Sequence, residues 1–445
     1  METKLSLQRV LARAFRPFTK VQPLEAVTVA LMTLIAFSLL TAYYLLKTVR
    51  EPLILLQGGA EVKLYARAGQ ALIMVGVVHA YGELARRMGR KKLLNMVFSF
   101  FISNLAVFAL LARTELQIGL AFFLWVGVFS YTVVAQFWAL AADLYTDEQG
   151  KRLFPIIGGG SSIGAVAGAR LARSLVPLGP PVLMGTAVMI LLACLALIVW
   201  VQRRTAHVVV KRAETPREEP LSREGAFRLL ARDKYLLLIA GMVIFLNWVN
   251  SSGEYLLDRT LLAAAAGASA AGTTPETFIG AFKADYFAWY NAIGMLLQLF
   301  LVSRILRVVG VRNALFFLPV FALVAYGSAA LLPVLAVVRL TKIGENSLQY
   351  SLQDTTRHAL FLVATRAEKF VGKTAVDTVA VRIGAIMSTL VVLIGTHFGW
   401  PTRIFAAINV VLALLWIGFV FAIAREHRRR SPESETPLAD ALKAA

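Results

Sequence analysis

The sequence is poor in cysteine and in charged residues. Its one cysteine, Cys194, lies in an apolar run, which excludes a disulfide framework and a Cys/His metal cluster. Charged residues make up 16% of the 445 residues and hydrophobic residues 58%, with a mean hydropathy of +0.68. Short alternating segments typical of transmembrane strands are absent. The composition therefore predicts an all-α polytopic membrane protein without a metal or other cofactor.

Acidic residues are also scarce, so that the formal net charge is +20. A basic balance of this size raises the possibility of nucleic-acid binding, but the Lys and Arg residues cluster in short loops between apolar runs and form no stripe on a soluble face. We therefore expect no nucleic-acid partner. Every second loop is rich in Lys and Arg, which predicts that both termini lie in the cytoplasm.

Twelve apolar segments of about 20 residues are long enough to cross a bilayer. They are residues 27–49, 65–84, 93–112, 117–142, 153–175, 181–201, 235–257, 282–303, 313–332, 333–352, 375–396 and 402–424. The pattern predicts two six-helix bundles, with the solute site between them.

The predicted boundaries follow from these segments. An amphipathic interfacial segment without signal-peptide features covers residues 1–26, the first bundle 27–201 and a cytoplasmic linker 202–234. The second bundle covers 235–424, and a disordered cytoplasmic tail covers 425–445.

Charged residues interrupt the first apolar run inside the membrane. Tyr43, Lys47 and Arg50 follow the i, i+4, i+7 spacing of one helix face, Tyr44 adjoins them, and apolar residues resume directly after Glu51. Ionisable groups at membrane depth are costly unless they meet a partner or a water-filled path. This face therefore favours binding of an anionic, ring-bearing solute. The alternative is structural: the cations extend to lipid headgroups, or Glu51 neutralises Lys47.

Two further segments carry polar faces. These residues are Asn247, Asn250 and Glu254 in the seventh segment, and Lys342, Glu345 and Asn346 in the tenth. Lipid would leave such groups unsatisfied, so we expect them to line the solute cavity. Two alternatives stay open: Glu254 has a buried partner on another helix, and the charges of the tenth segment lie at the cytoplasmic mouth.

A glycine-rich stretch in the fifth segment has two interpretations. Gly160, Gly164 and Gly168 form a small-xxx-small ridge that favours close helix packing. A phosphate-binding P-loop would need a preceding strand and a Lys-Ser/Thr pair after its last glycine, and neither is present. Ala367 stands where a Walker motif ending at Gly372 needs glycine, so we expect no ATPase and no enzyme.

The loop at residues 82–92 resembles the loop between spans two and three of the major facilitator superfamily. Gly82, Arg86, Gly89, Arg90 and Lys91 match that motif, and Ala85 replaces its aspartate. The resemblance implies a two-bundle fold that works by alternating access. We expect the gating charges to be Glu51, Arg86, Arg90, Asp143, Asp354 and Asp377.

Segments across most of the chain resemble, in the same order, signatures of the nucleotide transporter family, the ATP/ADP translocases of plastids and intracellular bacteria. They are residues 43–53, 137–141, 151–158, 349–354 and 372–379. The resemblance implies an ATP:ADP antiporter that binds ATP and related nucleotides.

The family's charged positions carry over in part. Its first-span lysine falls on Arg50, whose planar fork suits phosphate, and its seventh-span glutamate falls on Glu254. Its fourth-span glutamate falls near Val126 and Gly127, and its eleventh-span lysine falls on Ala385.

Three functional hypotheses follow. The first is a monomeric secondary transporter of nucleotides or related phosphorylated anions, with Lys47 and Arg50 on the anion and Tyr43 or Tyr44 on the ring. The second keeps the fold and changes the solute to another organic anion or a proton-coupled substrate. The third is a non-transporting membrane receptor or scaffold.

Overall fold

A computed structural model describes residues 21–205, 233–268, 272–361, 364, 373 and 376–430. Most of the predicted amphipathic segment, most of the linker and the end of the tail lie outside these ranges. The described residues divide into two compact units. The first unit comprises residues 1–218 and 262–292, and the second comprises 219–261 and 293–445.

The described residues form helices and no β-strands. In chain order the α-helices are α1 (Pro23–Arg87), α2 (Arg90–Leu111), α3 (Gly119–Leu144), α4 (Asp147–Leu175), α5 (Pro180–Arg204), α6 (Lys234–Ala268), α7 (Pro275–Leu296), α8 (Val302–Ala314), α9 (Phe317–Leu331), α10 (Leu335–Leu348), α11 (Asp354–Leu360), α12 (Val381–His397) and α13 (Thr402–Arg430). A 3₁₀ turn covers Val176–Leu178, and π-helical turns cover Leu297–Leu301, Gln349–Gln353 and Val376–Ala380. Such π-turns occur often at functional sites.

The described residues of each predicted segment are mainly helical. Within the described ranges, seven helices are long and apolar enough to span a membrane, and Phe317–Leu331 and Val381–His397 are shorter apolar helices. One of the seven, α1, contains both the first and the second predicted segment. The all-helical class is confirmed, whereas the number of twelve crossings stays a prediction.

The first unit is built around α1, which packs along α4 and also contacts α3 and α5. Its buried core is rich in large side chains, including Met32, Phe98, Phe122 and Phe137. In the second unit, α9 packs along α13 and α10, where Trp416 and Tyr326 are buried. Because lipid is as apolar as these side chains, close packing and internal hydrogen bonds hold such helices together.

A glycine changes the direction of α1 between its two halves. Gly59 has φ 76° and ψ −178°, a conformation that is essentially restricted to glycine. In an unbroken helix, twelve residues rise about 18 Å. Nevertheless Lys63 Nζ lies 2.5 Å from Glu51 Oε2, twelve residues earlier. The break at Gly59 therefore returns the chain towards the end of its first half.

The glycine ridge of α4 lies directly against α1. A Cβ at Gly160 would meet Thr33 Cγ2 at 2.6 Å, and one at Gly164 would meet Phe37 Cα at 2.8 Å. The Thr41 hydroxyl donates to the Gly164 carbonyl at 3.2 Å. The predicted packing role of the ridge is confirmed.

We expect Gly59→Ala to lower the free energy of unfolding by roughly 1–3 kcal/mol, because alanine is strained at positive φ. Thermal unfolding of the purified protein in detergent measures this effect. Gly69→Ala is the matched control, since Gly69 is helical and its Cβ would meet nothing within 4 Å. Equal melting temperatures for the two variants would contradict the assigned role of Gly59.

Gly164→Ala should lower stability by about 1–3 kcal/mol, because its methyl group overpacks the α1–α4 contact. Gly159→Ala serves as the control on the same helix, since a Cβ there meets nothing within 4 Å. The two melting temperatures, measured in the same detergent, are compared with that of the unmodified protein. A Gly164→Ala protein as stable as the Gly159→Ala protein would refute close packing at this point.

Candidate functional site

In the first unit, the Lys47 ammonium lies among four aromatic rings. Its Nζ is 4.6 Å from the ring centre of Phe287, 5.1 Å from Tyr44, 5.4 Å from Tyr290 and 5.9 Å from Tyr43. It also donates a 2.8 Å hydrogen bond to the Tyr290 hydroxyl. Aromatic faces attract cations, so these rings stabilise the Lys47 ammonium in apolar surroundings.

Hydrogen bonds between α1 and α7 orient this aromatic group. The Tyr44 hydroxyl lies 3.1 Å from the Tyr290 hydroxyl and donates to Asn291 Oδ1 at 3.0 Å. The Asn291 amide donates to the Phe287 carbonyl at 2.7 Å. Buried hydroxyls and amides need such partners, and here these bonds fix the rings around Lys47.

One helical turn further along α1, three cations converge on one carboxylate. Glu51 Oε1 accepts from Arg50 Nε at 3.2 Å, whereas Glu51 Oε2 lies 2.5 Å from Lys63 Nζ and 3.3 Å from Lys283 Nζ. The side chains of Glu51 and Lys283 are 2% and 0% exposed. The Arg50 guanidinium also lies 4.7 Å from the centre of the Phe123 ring.

Arg50 is buried beside Glu51 and does not extend to lipid headgroups. Glu51 pairs with Arg50, Lys63 and Lys283, and the aromatic group lies around Lys47. Buried cations of this kind need anionic oxygens as partners. A guanidinium and two ammonium groups in one place are the donors that bind phosphate oxygens.

A second buried network joins α6, α9 and α10 within the second unit. Lys342 Nζ lies 2.8 Å from Glu345 Oε2 and 3.7 Å from Glu254 Oε1, and donates to the Asn250 carbonyl at 3.2 Å. The Tyr326 hydroxyl donates to Glu345 Oε2 at 2.5 Å. One ammonium thus serves two carboxylates.

Amide side chains complete this network. Asn250 Nδ2 lies 2.9 Å from Asn346 Oδ1 and 2.8 Å from Gln349 Oε1, at the π-turn after α10. The Asn346 amide in turn donates to Glu254 Oε1 at 3.2 Å. Glu254 thus has the buried partners that its structural alternative requires.

Three of the predicted polar residues of α10 are buried inside the second unit. Lys342 is 0% exposed, Glu345 2% and Asn346 4%. The structure brings these three residues together with Asn250 and Glu254. Asn247 instead donates to the Val243 carbonyl of its own helix at 2.8 Å.

Three of the predicted gating charges, Arg86, Arg90 and Asp143, form ion pairs at the surface of the first unit, whereas the fourth, Glu51, is buried. Arg86 pairs with Glu83 in the last turn of α1, and Arg90 Nη1 lies 2.5 Å from Asp143 Oδ1 at the end of α3. Both arginine side chains are more than half exposed, so each pair contributes little stability.

In the second unit, Arg357 links the other two predicted gating residues. Its guanidinium lies 3.3 Å from Asp354 Oδ1 and 3.0 Å from Asp377 Oδ1. Burial raises the pKa of the Asp354 carboxyl, and the nearby Arg357 cation opposes that shift. Sequence reasoning named both acids and missed the arginine that joins them.

A family model described as TLC ATP/ADP transporter matches residues 9–114 and 308–427, about half of the chain. The matched residues include Lys47, Arg50 and Lys63 of the first unit and Lys342 of the second. Lys283 lies outside them, in a part of the chain that packs in the first unit.

Curated relatives carry related names. The chain is similar to ADP,ATP carrier protein 1 of Chlamydia pneumoniae, with 23% identity over 329 residues, which are 63% of this chain and 62% of that protein. It is 22% identical to ADP,ATP carrier protein 1 of Chlamydia trachomatis serovar D over 250 residues, 50% of this chain and 45% of that one. The match therefore spans less than two thirds of either relative.

Solved structures share the fold at low sequence identity. The nucleoside transporter NupG is 11% identical with a TM-score of 0.64, over 89% of this chain and 98% of that chain. A bacterial homolog to the human lysosomal transporter Spinster is 13% identical with a TM-score of 0.57, over 92% and 99%. These likenesses confirm the predicted major facilitator-type fold.

We expect Lys342→Met to lower the free energy of unfolding by about 3–5 kcal/mol, because it leaves the buried Glu345 and the partly buried Glu254 without their shared ammonium. Thermal unfolding in detergent measures the loss. Lys234→Met is the control, since Lys234 is an exposed lysine at the start of α6. A Lys342→Met protein that melts with the control would show that the network does not depend on this cation.

Proposed function

Because the chain belongs to the TLC ATP/ADP transporter family, we propose that it is a secondary carrier that exchanges nucleotides or related phosphorylated anions across a membrane. It moves its solute by alternating access and leaves the solute chemically unchanged. The carrier lies in the bacterial inner membrane as a monomer of two six-helix halves, with both termini in the cytoplasm.

The observation that carries this proposal is the side-by-side arrangement of an aromatic group and a cation cluster in the first unit. The rings of Tyr43 and Tyr44 flank Lys47, and Arg50 and Glu51 follow one turn later on α1. A nucleotide carries the same two features, a flat ring and a charged phosphate chain. Stacking on aromatic side chains contributes about 1–3 kcal/mol per base and tolerates different bases.

The candidate residues have different roles, which follow from the chemistry of their side chains. Arg50 and Lys47 bind phosphate oxygens, and Tyr43 or Tyr44 stacks on the base after Lys47 has turned towards the phosphates. Asn250 and Glu254 keep polar groups within the apolar second unit, and Asn247 lies one turn earlier on the same face of α6.

A second candidate function is the transport of another organic anion together with protons. It is favoured by the charges that this chain lacks, since no acid stands at Val126 or Gly127 and Ala385 replaces the family's lysine.

We predict that purified protein in liposomes exchanges labelled ADP for internal ATP, and that Arg50→Ala lowers the rate at least tenfold. The loss follows from removing a charge-assisted bond to phosphate, which contributes about 1.5–3 kcal/mol. Arg50→Lys should retain part of the rate, because it keeps the charge and loses the fork.

Arg113→Ala is the control for this experiment, since it removes an exposed arginine from the turn after α2. The same liposomes are tested with a panel of nucleotides, organic phosphates and organic acids, with and without a proton gradient. Uptake of an organic acid without nucleotide exchange would favour the second candidate. No uptake of any nucleotide or organic phosphate would refute the first.

A further inference from the structure

Glu51 is the acceptor on which three cations from separate stretches of the chain converge. Arg50 precedes it on α1, Lys63 follows the break at Gly59, and Lys283 belongs to α7. All four side chains are buried, with Lys283 fully inaccessible. Glu51 is thus a carboxylate that all three cations share.

Such a group is stable only while an anion occupies its centre. Three cations at these distances repel one another strongly in apolar surroundings, and the carboxylate offsets that repulsion. The Glu51 carboxylate has two oxygens and one negative charge with which to offset that repulsion. A phosphate chain offers more oxygens and more negative charge to the same donors, of which the Arg50 guanidinium presents a planar fork.

We propose that Arg50, Lys63 and Lys283 form a binding site for a di- or triphosphate group, and that Glu51 is a tethered counter-ion which the phosphate displaces. The proposal rests on the proposed function and names the atoms of its phosphate site. It adds Lys63 and Lys283 to the binding residues. It also assigns Glu51 a positioning role, since the carboxylate competes with substrate for the same cations.

Competition by a tethered carboxylate has a definite effect on transport. It weakens substrate binding, because each phosphate must replace an existing partner. It speeds release, because the cations regain an anion as the substrate leaves. It also selects for solutes with several negative charges. A solute with one negative charge attracts the cations no more strongly than the carboxylate that it replaces, whereas a polyphosphate attracts them more strongly.

Glu51→Gln therefore should lower the Kd for inorganic pyrophosphate and for ADP at least fivefold and lower the maximal exchange rate by a similar factor. If Glu51 had only a structural role, Glu51→Gln would raise the Kd and lower the maximal exchange rate. Glu51→Asp keeps the negative charge and should return the Kd towards that of the unmodified protein.

Lys63→Gln and Lys283→Gln should each raise the Kd for pyrophosphate about tenfold, the loss of one charge-assisted bond. Binding is measured by calorimetry on the full chain in detergent, with Glu115→Gln as the control for an exposed acid. If Glu51→Gln does not fold, the two lysine variants and Glu51→Asp are measured instead. Weaker pyrophosphate binding in both lysine variants, together with near-normal binding in Glu51→Asp, then supports the site.

The outcomes separate this proposal from the nucleotide proposal. Pyrophosphate binding that Glu51→Gln strengthens supports the site even if liposomes exchange no nucleotide. Nucleotide exchange by the unmodified protein with an unchanged or raised Kd in Glu51→Gln overturns the tethered counter-ion and leaves the nucleotide function standing. Lysine variants that bind pyrophosphate normally overturn the binding site.

Discussion

The ion group around Glu51 depends on one constraint, that a cation buried among apolar helices needs an anion within reach. α1 supplies Arg50 and the carboxylate in adjacent positions, and its break at Gly59 brings Lys63 back to them. α7 adds Lys283, so the same carboxylate joins two helices of the first unit. Beside this ion group, aromatic faces stabilise the Lys47 ammonium.

In the second unit, too, buried charges lie beside charges of opposite sign, but here a cation is shared by two anions. There one ammonium, that of Lys342, serves the carboxylates of Glu254 and Glu345, and the Tyr326 hydroxyl takes up part of the remaining acceptor capacity. Gly253 leaves room for this approach, because a Cβ there would lie 3.1 Å from Lys342 Cδ. In both units a charge of one sign is shared by several groups of the other sign, so each shared group has more than one partner available.

Hydrophobic patterning predicts the helices well, because membrane-spanning length and apolar content are properties of one continuous stretch. It also identified Arg50 and Glu51, which interrupt such a stretch, and the ridge at Gly164. The partners Lys63 and Lys283 were missed because they are distant in sequence and meet Glu51 only through a turn and a second helix. The signals that could have found them are the Gly58-Gly59 pair, which breaks α1, and the lysine inside the apolar α7.

Stability alone does not account for burying these charges. A buried ion pair recovers in attraction roughly what it loses in hydration, and well-packed apolar residues of the same size are often equally stable or better. A receptor or scaffold would therefore gain little from Arg50, Glu51 and Lys283 at the centre of a helix bundle. A carrier has a use for them, because it must bind an anion strongly enough to desolvate it and still release it. Cations that already have an anionic partner meet both requirements, since partner exchange replaces one ion contact with another and never leaves a bare charge in apolar surroundings.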